Sequence, residues 1–296
     1  MKSLDEAFHT INRYHIKIKK GEKKINDSIL LGVLNEFVKI MRIENSLFSK
    51  MNPRLLLLGS NFDGLRIGKP DEYDYNVILK IPVNYGKINL DATDTDNSYT
   101  TVVMPSEFRR LSKIPEMANK GFAETRMWCD AKYRLTSGPA VTLTVITPNG
   151  LIDVDLVPTF EFSLPQKPKG SKVDFERVKS TKITNYFIVP KPTGCGVSWR
   201  LSFPYQEKFY LKNKNNMKSV IRLLKLLRDV QGFKQLASYF IKTLVLSETQ
   251  NVDDSFWSKK SLSYLFIYML EKLRDCLKVG EIKNFCTYNL KQFVCN

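Results

Sequence analysis

The sequence predicts an α+β fold: a mixed-sheet N-terminal part led by a long helix, followed by a helical C-terminal part. Three observations carry this. Strand-like segments, "RLLLL" (54–58), "YDYNVILKI" (73–81), "AVTLTVIT" (140–147) and "LIDVDLVP" (151–158), all fall before residue 199. A helical stripe of Leu30, Leu34, Phe37 and Met41 precedes them. After Trp199 the texture changes to "SVIRLLKLLRDV", "FKQLASYFIKTLVLSE" and "KSLSYLFIYMLEKLRDCL", all at helical spacing. The expected division is therefore 1–198 and 199–296.

Each element has a local reason. Ser3 with Glu6 forms a capping box for a first helix. The basic stretch "KIKKGEKK" (17–24) follows, and Asn26 or Asp27 is expected to cap a long helix running to about Phe48. Pro53 closes the connection to a buried strand, 54–58, which ends at the Gly59-Ser60 turn; 73–81 is read as its neighbour. "NLDATDTDNSYT" (89–100) is polar and reads as a loop, and 105–117 as a short helix. "PNG" joins the strands 140–147 and 151–158 into a hairpin. "SLPQKPKGSK" (163–172) is a basic Pro/Gly loop, and "TNYFIVPKP" supplies one more strand.

The net charge of +16, from 46 Lys+Arg against 30 Asp+Glu, points to a polyanionic partner. The five cysteines, Cys129, Cys195, Cys276, Cys286 and Cys295, are scattered and odd in number, which argues against a disulfide framework. With only His9 and His15 and no C-x-x-C pair, a structural zinc site has no sequence support. No apolar run reaches membrane-spanning length, and the N-terminus lacks a signal-peptide core. A soluble, cytoplasmic protein is expected.

The chemistry concentrates at the strand ends. Gly59-Ser60 can present backbone N–H groups and a hydroxyl to a phosphate. Glu72 and Asp74 are two apart on a strand, so their side chains leave the same face; Asp153 and Asp155 repeat the pattern. Glu72, Asp74 and Asp155 together offer the three carboxylates that two divalent cations, Mg²⁺ or Mn²⁺, need for in-line phosphoryl transfer.

Gly-Ser, eleven intervening residues, E-x-D in a strand and a later D-x-D strand resemble the nucleotidyltransferase superfamily. The blocks "GSNFDGLRIGKPDEYDYNVILKIP", "IDVDLVP", "SWRLSFPYQEK" and "LASYFIKT", in that order, resemble cyclic GMP-AMP synthase and the animal cGAS-like receptors over roughly residues 26–290. The resemblance implies a bilobal fold with a long N-terminal spine helix and the active site in the cleft. By position it makes Glu72, Asp74 and Asp155 the metal-binding catalytic carboxylates and Gly59 and Ser60 the triphosphate-gripping turn. It gives Arg200 and Ser202 contacts to the acceptor nucleotide, Glu207 a nucleotide-site acid, Lys225 a phosphate contact, and Tyr239 a base to stack on beside Ser238. The family commonly has a small polar residue where Pro204 stands, and it continues with a further helix beyond Asn296, which leaves the completeness of the helical part open.

The segment "KFYLKNKNNMKS" (208–219) has no Cys or His, so the zinc thumb that vertebrate cyclic GMP-AMP synthase inserts there is absent. This resembles the insect-type receptors, some of which respond to double-stranded RNA. Between residues 161 and 225 fourteen Lys/Arg stand against four Asp/Glu, with Lys208, Lys212, Lys214, Lys218 and Arg222 clustered; Lys17, Lys19, Lys20, Lys23 and Lys24 form a second basic stretch. Lysines with little aromatic interleaving and no base-reading side chains suit backbone and shape recognition of an A-form duplex. The expected function is a duplex-RNA-activated enzyme that joins ATP and GTP into a cyclic dinucleotide, cyclic GMP-AMP, in innate antiviral defence. By resemblance its product acts on a STING-type receptor; dimerisation on the ligand stays open. The competing readings are an inactive nucleic-acid-binding scaffold and a nucleotidyltransferase forming linear oligonucleotides.

Overall fold

The computed structural model describes residues 3–16, 20–69, 71–95, 98–111, 113, 140–190, 198–283, 285–286 and 291–293. The chain opens with α1 (Leu4–Thr10), whose N-terminus carries the expected capping box between Ser3 and Glu6. A π-helical turn, Ile11–Ile16, precedes the 25-residue α2 (Lys20–Glu44). The expected caps are not caps. Asn26 is buried and accepts from Asn149, while Asp27 pairs with Lys23 at 2.7 Å, one turn away inside the helix. The helix also stops before Phe48, because the Asn45 side chain accepts from the Phe48 N–H and starts a separate helix, α3 (Ser46–Lys50).

The described strands form an eight-stranded mixed sheet. β1 (Arg54–Leu58) leads through the short helix α4 (Gly59–Asp63) and a loop to β2 (Glu72–Leu79). β3 (Asn89–Asp91) and β4 (Tyr99–Val103) pair with each other, so the segment read as a loop supplies strand at both ends. After α5 (Pro105–Leu111) come β5 (Val141–Thr147) and the 14-residue β6 (Gly150–Ser163), joined as the predicted hairpin. The last turn of the helix expected at 105–117 lies outside the described residues. α6 (Phe175–Ser180), β7 (Asn185–Val189) and β8 (Trp199–Ser202) complete the sheet, in the order β1-β2-β6-β7-β8-β4-β3 with β5 on β6. β8 pairs with β7 and β4 and so belongs to the sheet.

β2 pairs antiparallel with β1 and parallel with β6, and from Tyr75 to Leu79 every residue is buried, as a strand covered on both faces requires. Along β6, Ile152, Val154 and Leu156 are buried while Asp153 is exposed and Asp155 half-buried. Pro158 sits where β6 changes antiparallel partner. Along β6 the pairing with β5 stops at Leu156, opposite Val141, and the pairing with β7 starts at Phe160, opposite Ile188, so the missing N–H interrupts neither antiparallel ladder.

The C-terminal part is helical: α7 (Pro204–Leu211), α8 (Asn215–Val230), α9 (Ser238–Glu248), α10 (Phe256–Lys259) and α11 (Leu262–Val279), followed by the small β9 (Glu281–Lys283) and β10 (Lys291–Phe293) pair. α8 buries Met217, Val220, Ile221 and Leu224 against Leu265, Met269 and Leu273 of α11 and Ile241 of α9, as its helical period dictates. The buried side chains run as one continuous core from Leu30 and Leu34 of α2 through the sheet to α11. Among the described residues no helix is long and apolar enough to cross a membrane.

Candidate active site

The register of β2 against β6 places Asp74 directly opposite Asp155 and Glu72 opposite Asp153. Because the two strands run parallel, all four carboxylates leave one face at one end of the sheet. Burial, followed by the neighbouring charges of Glu72 and Asp155, raises the Asp74 pKa above its ordinary value. Thr142 on β5 donates to Asp155 at 2.5 Å, and Thr144 donates to Asp153 at 2.7 Å.

Gly59 makes this packing possible. Its φ is +65°, and a Cβ there would lie 2.7 Å from Asp74 Cγ, inside its van der Waals envelope. The Gly-Ser turn continues directly into α4, and the Ser60 carbonyl accepts from the N–H groups of Leu65 and Arg66, which closes the turn. The Asn61 side chain donates to the Glu72 carbonyl at 2.8 Å, tying α4 to the first residue of β2.

Glu72 and Asp74 thus share a face as expected, and Asp155 joins them from another strand. The donors are all carboxylate oxygens, which suits a hard divalent cation, and the crowding that raises Asp74 is what such a cation relieves. The side chains are not gathered as they stand: among the described residues no group of three His, Cys, Asp or Glu is placed to hold a metal ion. Glu72 is engaged instead by Arg66 at 2.7 Å.

The facing wall is built from the C-terminal helices. Arg200 on β8 lies over the Tyr239 ring of α9, 5.0 Å from its centroid. Tyr239 donates to buried Glu207 at 3.2 Å, and burial with the Glu207 charge pushes its hydroxyl up to about 12. Ser202 and Ser238 are half-buried at the end of β8 and the start of α9. Lys242, one turn after Tyr239, bridges Asp63 and Glu207. Burial works against its charge, but Glu207 and Asp63 outweigh that and hold the ammonium well above its ordinary value. Sequence reasoning passed over Lys242 and Asp63; the signal was the i, i+3 spacing of Lys242 from Tyr239.

Lys225 is placed differently from the expected phosphate contact. It is buried and donates to the Leu65 carbonyl at 3.0 Å; burial, with Arg66 and Arg228 nearby, lowers its pKa to about 8.

Of the basic cluster, Lys208 and Lys212 are exposed and Lys218 is half-buried. The Lys208 ammonium sits 3.5 Å from the Phe62 ring centroid. Lys214 pairs with Asp254 at 2.6 Å. Arg222 does not belong to this surface. It is 7% exposed, and each of its three nitrogens donates once inward, to Asn12, the Gly64 carbonyl and Ser219. A cavity of about 620 Å³ between the π-helical turn and α8 is lined by His9, Arg13 and Lys218 among others. Of the second basic stretch, Lys24 is exposed and Lys23 is paired with Asp27. Lys17, Lys19 and the Lys20 side chain lie outside the described residues.

A mixed sheet with carboxylates on one face beside a glycine turn, and a helical C-terminal part, defines a nucleotidyltransferase of the two-lobed kind. The chain belongs to the Mab-21 family: residues 61–213 match the Mab-21 protein nucleotidyltransferase domain, and residues 216–293 the Mab-21 protein HhH/H2TH-like domain. It is similar to a cyclic GMP-AMP synthase-like receptor of Aethina tumida (29% identity, covering 95% of this chain and 80% of the relative). A receptor of the same name from Nicrophorus vespilloides is 30% identical over 91% of this chain and 81% of the relative. A cyclic GMP-AMP synthase-like protein of Drosophila melanogaster is 27% identical over 91% and 82%.

Proposed function

We propose that this nucleotidyltransferase joins ATP and GTP into a cyclic dinucleotide, cyclic GMP-AMP, when duplex RNA engages its basic face, as a cytoplasmic alarm in innate immunity. The observation that carries the reading is the parallel register that sets Asp74 beside Asp155, with Glu72 on the same face and Gly59-Ser60 against them. Glu72, Asp74 and Asp155 would hold two Mg²⁺ or Mn²⁺ ions, which when bound activate the attacking hydroxyl and steady charge on the transferred phosphate. The names of the similar proteins support the cyclic product.

The chain's own side chains then divide the work. Gly59 and Ser60 receive the triphosphate. The flat face formed by Arg200 over Tyr239 stacks a base, with Glu207 holding the Tyr239 hydroxyl and Ser202 and Ser238 at its edges. Lys208, Lys212 and Lys218 meet the duplex backbone, and Lys24 extends that surface; Arg222 acts beneath it. The product passes to a STING-type receptor.

The experiment incubates the protein with ATP, GTP and Mg²⁺ or Mn²⁺, with RNA or DNA duplexes of several lengths, and resolves the products. The expected result is a cyclic dinucleotide that depends on RNA length but not sequence, lost in the Glu72→Ala, Asp74→Ala double variant and, without loss of nucleotide binding, in the Lys208→Glu, Lys212→Glu, Lys218→Glu variant. Linear products, DNA-specific activation, or synthesis surviving the carboxylate substitutions would refute it.

A further inference from the structure

The loop between α4 and β2 is closed on itself by one side chain. Arg66 donates to Glu72 at 2.7 Å, to Asp71, and through Nε to the Lys69 carbonyl at 3.2 Å. Its side chain is only 19% exposed, and although burial opposes its charge, Glu72 and Asp71 raise its pKa on balance. The Glu72 carboxylate is thereby engaged by Arg66, in keeping with the lack of a grouped ligand set among the described residues.

We propose that Arg66 is an autoinhibitory brake that competes with a divalent cation for the Glu72 carboxylate; this rests on the metal-ion reading of that carboxylate. The backbone of Glu72 is already placed, by its register with Asp153 and by the Asn61 bond to its carbonyl. Release therefore needs a side-chain rotation, not a rebuilt strand. The loop that carries Arg66 is in turn tethered to α8, through Arg222 to the Gly64 carbonyl at 2.8 Å and Lys225 to the Leu65 carbonyl at 3.0 Å. α8 also bears Lys218, whose ammonium burial holds below its ordinary value, against Asp63 and with the help of Arg222 and Lys208.

The test is Mn²⁺ binding to nucleotide-free, RNA-free protein, read from the electron paramagnetic resonance of free Mn²⁺. Arg66→Gln should bind Mn²⁺ roughly fivefold more tightly than the wild type, the size expected for releasing a half-exposed charge pair. Arg66→Lys, which keeps the charge but loses the forked pairing, should fall between the two. The gain should vanish when Glu72→Gln is added, a coupling that a general field effect of the lost charge would not produce. Product formation without RNA should rise in Arg66→Gln. Unchanged or weaker Mn²⁺ affinity in the folded variant, or a gain that survives Glu72→Gln, overturns the brake. If Arg66→Gln does not fold, Arg66→Lys decides by the same criteria. Asp74→Asn separates the two ideas: if it weakens Mn²⁺ binding while Arg66→Gln changes nothing, the brake alone fails. If it leaves Mn²⁺ binding unchanged in both backgrounds, the metal reading fails and takes the brake with it.

Discussion

Replacing Lys242 by methionine removes the cation that Asp63 and Glu207 share. Asp63 is 3% exposed and Glu207 6%, so neither carboxylate can recover its hydration without moving. Glu207 keeps the Tyr239 hydroxyl at 3.2 Å, but the second Asp63 oxygen has no hydrogen-bond partner among the described residues. Breaking a buried ion pair from one side costs about 3–5 kcal/mol, because it strands the remaining charge. For a chain of this size that corresponds to a fall in Tm of roughly 5–8 °C. Thermal unfolding of the wild type, Lys242→Met, and Lys242→Met combined with Asp63→Asn and Glu207→Gln measures it. The triple variant, with no charge left to strand, should recover most of the loss. A Lys242→Met protein melting within about 2 °C of the wild type, or a triple variant as unstable as the single one, would refute the reasoning.

Three further outcomes follow from the same geometry. Gly59→Ala should abolish synthesis and lower stability by about 1–3 kcal/mol, since a side chain at φ +65° is strained and its Cβ displaces the Asp74 carboxylate; product assays and denaturant unfolding check both. Lys225 has its folded pKa lowered from 10.5 to about 8, so between those values the unfolded chain binds the extra proton and stability rises with pH. The wild-type minus Lys225→Met stability difference should therefore climb by up to about 3 kcal/mol across that window, and a flat difference from pH 7 to 10 would count against a buried ammonium. Arg222→Gln should destabilise by about 2–4 kcal/mol in urea unfolding because it leaves Asn12 and the Gly64 carbonyl without their donor, whereas exposed Lys212→Glu should stay within about 0.5 kcal/mol of the wild type in stability while weakening RNA binding and lowering its salt dependence.

The sequence by itself determined the faces. A strand has period 2 whatever surrounds it, so Glu72 with Asp74, and Asp153 with Asp155, had to project together, and the buried Ile152, Val154 and Leu156 follow from the same alternation. The capping box at Ser3, the "PNG" hairpin and the amphipathic α8 were legible for the same reason: each is a local rule acting within a few residues. Tertiary structure decided which strand lies beside which, and only the parallel register of β2 on β6 sets Asp74 against Asp155. It also decided the fate of the cations. Composition counts charges but does not say which find acceptors inside. Arg222 turned inward to Asn12 and Gly64, Lys225 to Leu65, and Lys242 to Asp63, a partner 179 residues away. Asn26 and Asp27 show the same limit at short range: both are good helix caps by type, but the helix had already begun at Lys20, and their side chains found partners in Asn149 and Lys23. A periodic pattern is set by backbone geometry alone, whereas a polar side chain goes wherever burial and an available partner lower its free energy, and that partner is supplied by the fold.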